Sequence, residues 1–226
     1  MTRILAIGMI VGMAASPAIA RDKVELKSDD QKFSYAVGVQ IGNNLQRQGV
    51  GYDAKAISQG IEDALAGGKT KMTEAEMRVA IEARQKKEVE KREAAAAKNL
   101  EAGKAFLADN KKKPGVVTRD SGLQYKVIKD GKGKQPKASD TVSVHYRGTL
   151  INGTEFDSSH KRGEPATFPV NGVIQGWQEV LPLMKEGAKW QVWIPSELAY
   201  GARGAGHNIG PNETLIFEIE LISIKK

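Results

Sequence analysis

The chain has 226 residues, with 34 lysines and arginines against 27 aspartates and glutamates, and no cysteine. That length suits one or two domains, and the lack of cysteine excludes a disulfide framework and thiolate chemistry. The basic excess of +7 is interspersed with acids, not gathered into a patch with aromatics, which argues for solvation and against nucleic acid.

Residues 1–20 open on the basic MTR, continue through the apolar ILAIGMIVGMAA and end on Ala18-Ile19-Ala20. The run is too short to span a bilayer and has the flanks of a secretory signal peptide, so cleavage is expected after Ala20. No cysteine is available for lipid attachment. The expectation is a periplasmic protein without a membrane span, compatible with association at the outer-membrane surface.

Residues 21–72 read as two short helices. Ser28 and Gln31 form a capping box, and Phe33, Val37, Ile41 and Leu45 follow at i+4 steps until Gly49. Asp53 caps a second helix with Ile57, Ile61, Ala64 and Leu65 on one face, ended by Gly67-Gly68. Helices of this size need tertiary packing, and the missing partner surface suggests a homodimer through 21–72.

Thr73 and Glu76 form a second capping box, and no proline interrupts until Pro114. A long helix is expected over 73–113, and its continuous part from Glu74 to Lys112 would run ~58 Å. Its middle, RQKKEVEKREAAAAK, is charge and alanine, with Glu82/Lys86 and Glu88/Arg92 at i,i+4 spacing. Apolar heptads are not sustained, so a solvated connecting rod is expected.

After Pro114 the texture changes to strands: LQYKVI, TVSVHYRGTL, FPV, KWQVWI and TLIFEIELISI. Asn152-Gly153 marks a two-residue hairpin. VIQGWQEVLPLM interrupts the strands, with Trp177, Val180, Leu181 and Met184 on one helical face. Gly176 should admit a neighbouring backbone, the buried indole of Trp177 should need an acceptor, and Pro182 should disturb the start of the helix. Trp193, alternating with Val192, reads as a partly covered edge residue or a contact patch. The fold class is α+β: an antiparallel sheet with a helix across its inner face over 114–226.

Catalytic equipment is sparse. His145, His160 and His207 are scattered, no metal-ligand spacing occurs, and the glycine-rich 201–206 reads as a flexible surface loop, so neither metal nor cofactor is expected. Aromatics beside single polar groups remain, a common recipe for a ligand pocket. An enzyme built this way works without nucleophile, metal or cofactor.

The motifs VHYRGTLINGTEFDSS, VIQGWQEVLPLM, IPSELAYGARG and IGPNETLIFEIELISI together resemble the FKBP-type peptidyl-prolyl cis/trans isomerases over about 114–226. The whole arrangement is similar to the macrophage infectivity potentiator group, exported and dimeric through intertwined N-terminal helices. The resemblance implies proline-containing unfolded or partly folded polypeptides as substrates, and macrolide inhibitors such as rapamycin as ligands. It puts Asp157, Tyr200, Trp177 and Phe156 in catalytic positions, with Trp177 as floor. Tyr146, Val173, Ile174, Ile209, Phe217, Ala166 and Arg162 are placed at substrate, with Arg162 partnering Asp157 and the Ile174 N–H meeting a peptide carbonyl. Ala166 stands where the small human members have phenylalanine, and Ala205 where they have histidine, with His207 two residues on. Two further readings are a holdase chaperone and a peptide-binding module without turnover.

Overall fold

The computed structural model describes residues 24–225. The expected signal peptide lies outside them. The chain divides into two units, one ending at Tyr52 and one spanning Asp53–Lys226.

In the first unit α1 spans Asp29–Arg47. The Ser28 hydroxyl accepts the Gln31 N–H, and Gln31 Oε1 accepts the Ser28 N–H. Asp29 and Asp30 at the start and Arg47 at the end complement the helix dipole. No residue of α1 is buried, and Phe33 is 72% exposed. Among the described residues its apolar ridge stays open to a considerable degree, with Val37 38% and Ile41 40% exposed.

The second unit opens with α2 (Ala54–Leu65), capped by the Asp53 carboxylate, which accepts from the Lys55 and Ala56 N–H groups. Then comes α3 (Glu74–Asn110), 37 residues behind the Thr73/Glu76 capping box. Its two halves differ. Up to Lys91 it is mostly exposed and carries Arg78–Glu82, Arg84–Glu88 and Lys86–Glu90 pairs. The expected Glu82/Lys86 and Glu88/Arg92 pairs do not form, because Arg78 takes Glu82, Lys86 turns to Glu90, Arg84 takes Glu88 and Arg92 donates to the Arg203 carbonyl.

From Arg92 onward α3 docks on the following domain, which corrects the rod expectation for that half. Ala95, Ala96, Asn99, Leu100, Gly103, Phe106, Leu107 and Asn110 are covered to varying degrees, at helical spacing. A Cβ on Gly103 would lie 2.3 Å from Thr214 Oγ1, so the glycine is what permits the approach. The wholly buried Asn110 amide donates to Gln124 Oε1 at 2.9 Å, and Gln124 Nε2 donates to the Leu107 carbonyl at 2.9 Å.

The sheet comprises β1 (Val117–Thr118), β2 (Gln124–Lys129), β3 (Thr141–Leu150), β4 (Glu155–Ser158), β5 (Ala166–Pro169), β6 (Lys189–Ile194) and β7 (Leu215–Lys225). Every pairing is antiparallel, in the order β1-β2-β6-β7-β3-β4, with β5 also on β3. β4 and β5 thus share one edge of β3, leaving between them the connection that holds α4 (Ser159–Arg162). β3 and β4 are joined by Ile151–Thr154, longer than the two-residue turn expected, with Gly153 left-handed at φ 85.

Helix α5 (Gln175–Val180) lies on the inner face, where Trp177, Val180, Leu181 and Met184 join Val144, Val192, Ile219 and Leu221 in one core. Pro182 sits in a 3-10 turn over Leu181–Leu183, so the irregularity falls at the end of the helix and not at its start. The space beside Gly176 is filled by Ile194, whose Cγ2 would be 2.5 Å from an added Cβ; side chain, not backbone, makes the approach. Trp193 is on an interior strand, 7% exposed and in register with Gln124, the residue that α3 holds. It is covered, and is neither an edge residue nor an open patch.

Candidate active site

A cavity of about 670 Å³ opens where β3, β4, α5 and the segment before β7 converge. Strand alternation aims the side chains: Tyr146 on β3 and Phe217 on β7 face the same interior as Trp177 on α5. Trp177 is ringed edge-on by Tyr146, Phe168 and Phe217, at centroid distances of 5.3, 5.8 and 5.2 Å. Phe156 packs edge-on to Phe217 at 5.5 Å. Gly148 makes room for that pair, since a Cβ there would lie 2.6 Å from the Phe156 ring and 2.8 Å from Phe217.

The indole N–H of Trp177 has no acceptor among the described residues, contrary to expectation. An unpaired buried donor costs roughly 1–3 kcal/mol, and edge-on aromatic pairs contribute about 0.5–1.5 kcal/mol each, so three of them offset it.

One carboxylate stands at the rim. Asp157 accepts from Arg162 at 2.6 Å, from the Ser158 N–H at 2.8 Å and from the Tyr146 hydroxyl, while Arg162 also donates to the Tyr146 oxygen at 2.8 Å. Burial alone would raise the Asp157 pKa, but the Tyr146 and Arg162 hydrogen bonds, the Arg162 charge and the Ser158 amide outweigh it and hold it below the usual aspartate range. Burial first, then the bond to Asp157, pushes the Tyr146 phenol up, and burial does the same to Tyr200. At neutral pH the rim therefore carries one fixed anion, which engages the Tyr146 hydroxyl proton, and the protonated Tyr200 phenol, beside a largely aromatic and aliphatic wall.

The cavity brings together Tyr146, Phe156, Asp157, Val173, Ile174, Trp177, Tyr200, Ile209 and Phe217. Arg162 stands behind Asp157 and does not line it. Ala166 does not line it either: its methyl ends against the core, and Phe168, two residues along the same face of β5, supplies the wall. Ala205 and His207, the two positions at which the resemblance departs from the family, line it, and so do Phe168, Gly172, Gly206 and Asn208, which the sequence does not single out. Alternation within β5 was the available signal for Phe168. Among the described residues the Ile174 N–H has no acceptor, and its carbonyl starts α5 by accepting from Trp177 and Gln178.

A serine–histidine contact, His145 Nδ1 to Ser159 Oγ at 3.0 Å, lies outside the cavity. Ser159 is wholly buried and its oxygen accepts the Tyr146 N–H, so it is a structural hydroxyl. A cavity of this kind, aromatic with a few polar groups at its rim, suits a ligand held by shape and a small number of hydrogen bonds.

The comparisons make the class specific. Residues 132–222 match the family described as FKBP-type peptidyl-prolyl cis-trans isomerase, and residues 30–127 match the domain amino-terminal to it. The outer membrane protein MIP of Legionella longbeachae is 47% identical over 96% of this chain and 95% of its own length. The peptidyl-prolyl cis-trans isomerase Mip of Coxiella burnetii is 46% identical over 98% of this chain and 96% of its own. The crystal structure of FkpA from Escherichia coli matches with a TM-score of 0.63 at 42% identity, over 89% of this chain and 99% of that one. The chain belongs to the FKBP-type peptidyl-prolyl cis-trans isomerases. It is an enzyme that interconverts cis and trans X-Pro bonds in polypeptides.

Proposed function

We propose that the 670 Å³ cavity is the isomerisation site, and that it works by binding a twisted X-Pro bond more tightly than a planar one. Amide resonance sets a barrier of ~18–20 kcal/mol to this rotation. Half-way through, resonance is lost and the bond is less polar, so an apolar enclosure favours it over the planar forms. A hundredfold acceleration requires only about 2.7 kcal/mol.

In this reading the proline ring rests on the Trp177 indole, between Tyr146, Phe156 and Phe217. Tyr200 and the Ile174 N–H hold peptide carbonyls, and the anchored Asp157 carboxylate faces the carbonyl that rotates. Arg162 keeps Asp157 charged and oriented. The observation that carries the reading is the aromatic enclosure around Trp177 with one ionised carboxylate at its rim. Macrolide inhibitors such as rapamycin would occupy the same enclosure.

The proposal extends to the arrangement of the whole chain: a signal peptide over 1–20, a homodimerising region over 21–72, the long helix over 73–113 and the isomerase domain over 114–226. It would be exported, serve exported clients in the periplasm, and suppress their aggregation as well as isomerise them. The uncovered apolar ridge of α1 favours the dimerising and chaperone roles.

A proline-peptide isomerisation assay on the full chain tests the site. Trp177→Leu and Asp157→Asn are each expected to lower kcat/KM about tenfold or more, the scale of one transition-state interaction. Wild-type rates in both variants would refute the assignment. Retained aggregation suppression in Trp177→Leu would separate chaperoning from turnover.

A further inference from the structure

Six cavity-lining positions lie in or beside the segment 200–212: Tyr200, Ala205, Gly206, His207, Asn208 and Ile209. Six of the thirteen residues of this segment are glycine or alanine, which have little side chain to pack, so backbone hydrogen bonds do much to set its position. Internally it is tied by reciprocal bonds between Ala205 and Ile209 and by the Asn212 N–H to the Gly201 carbonyl at 2.8 Å. It is an organised flap and not the flexible surface loop that its glycines suggest.

The flap is tied to α3 at both ends. Where it enters, the Arg92 guanidinium donates to the Arg203 carbonyl at 2.7 Å and, more weakly, to that of Ala202 at 3.4 Å. Those are the last residues of a 3-10 turn over Gly201–Arg203, whose terminal carbonyls have no partner within the turn. Where it leaves, Asn99 donates to the Pro211 carbonyl at 2.9 Å, and Asn212 donates to the Ala96 carbonyl at 3.3 Å. Arg92, Ala96 and Asn99 fall at i, i+4 and i+7, on one face of α3. Arg84 occupies Glu88, which leaves Arg92 for the flap.

We propose that α3 belongs to the active-site scaffold, with Arg92 and Asn99 as positioning residues that hold the flap over the cavity and so set its affinity for peptides. The inference rests on the cavity being the isomerisation site. A held flap contacts planar and twisted substrate alike, so loosening it is expected to raise KM and leave kcat in place. Loss of Trp177 or Asp157 would instead lower kcat.

The test uses the full chain and three variants: Arg92→Ala, Arg92→Lys and Arg92→Ala/Asn99→Ala. Arg92 is exposed, so truncating it leaves no core cavity. Amide hydrogen exchange at Ala205 and Ile209 is read alongside KM and kcat for a proline peptide. The double variant is expected to exchange these two amides about tenfold faster and to raise KM about fivefold, the scale of one or two net hydrogen bonds. Arg92→Lys, with fewer donors and no fork, should fall between. Trp177→Leu should lose turnover with the exchange of the flap unchanged. Exchange in the double variant equal to wild type, or faster exchange with KM unchanged, overturns the inference. Absence of catalysis in the wild-type chain would instead sink the site assignment, with the exchange measurement still readable.

Discussion

Asp157 is held by three donors of different kinds, and its charge has a defined pH range. Its folded pKa lies below the ordinary value of about 3.9, so its contribution to stability is complete above that value. It is lost as pH falls through the lowered folded value. Wild type and Asp157→Asn should therefore differ in Tm near neutrality and converge in strong acid. A Tm difference that widens on acidification would contradict the arrangement. Tyr146 has the opposite sense: its raised pKa keeps the phenol protonated until pH rises past its unfolded value of about 10. Gly148 is a second residue-scale test. Gly148→Ala puts a methyl 2.6 Å from the Phe156 ring, which must tilt toward the cavity. Overpacking of this sort costs about 1–3 kcal/mol, and kcat/KM should fall with Tm; wild-type values for both would mean that the two rings have slack.

At the scale of elements, the strands were legible because alternation in β3, β6 and β7 is strong, and Leu215, Phe217, Ile219 and Leu221 do face the core while Glu218 and Glu220 do not. Helices α1, α2 and α3 all start at the caps that the sequence announces. The docking of α3 was hidden, because its covered stripe intersperses Leu100, Phe106 and Leu107 with alanine, asparagine and glycine, which dilute the apolar periodicity. The order of the flap was hidden for the same reason: its bonds go from backbone to residues about 110 positions earlier. Of the cavity, most aromatic positions could be read from resemblance, while Phe168 lies two residues along β5 from Ala166, the position that the resemblance marks. Gly103→Ala tests the docking. Alanine gains about 1 kcal/mol of helix propensity, yet the 2.3 Å approach to Thr214, itself buried, should outweigh it and lower Tm. A rise in Tm would show that the helix can shift aside.

For the molecule as a whole, the uncovered ridge on α1 is the feature that a lone chain leaves unresolved. Phe33, Val37 and Ile41 are 72%, 38% and 40% exposed, which leaves apolar area that a second copy could cover. Solution mass should be that of two chains, and should fall to one when residues 21–72 are removed. A single-chain mass for the intact protein would remove the dimer proposal and leave the ridge as a client-binding surface.

The buried Asn110–Gln124 amide pair, beneath the last turns of α3, decides where the chain is vulnerable. Segments with few buried groups open cheaply, and a protease cuts where opening is cheap. Trypsin should therefore nick the solvent-surrounded stretch around Lys86–Lys91 before it reaches the triple lysine at 111–113, although both are exposed. Mass spectrometry of the first fragments would show a resistant body that keeps the docked half of the helix, so that the unit nature would trim to starts well before Pro114.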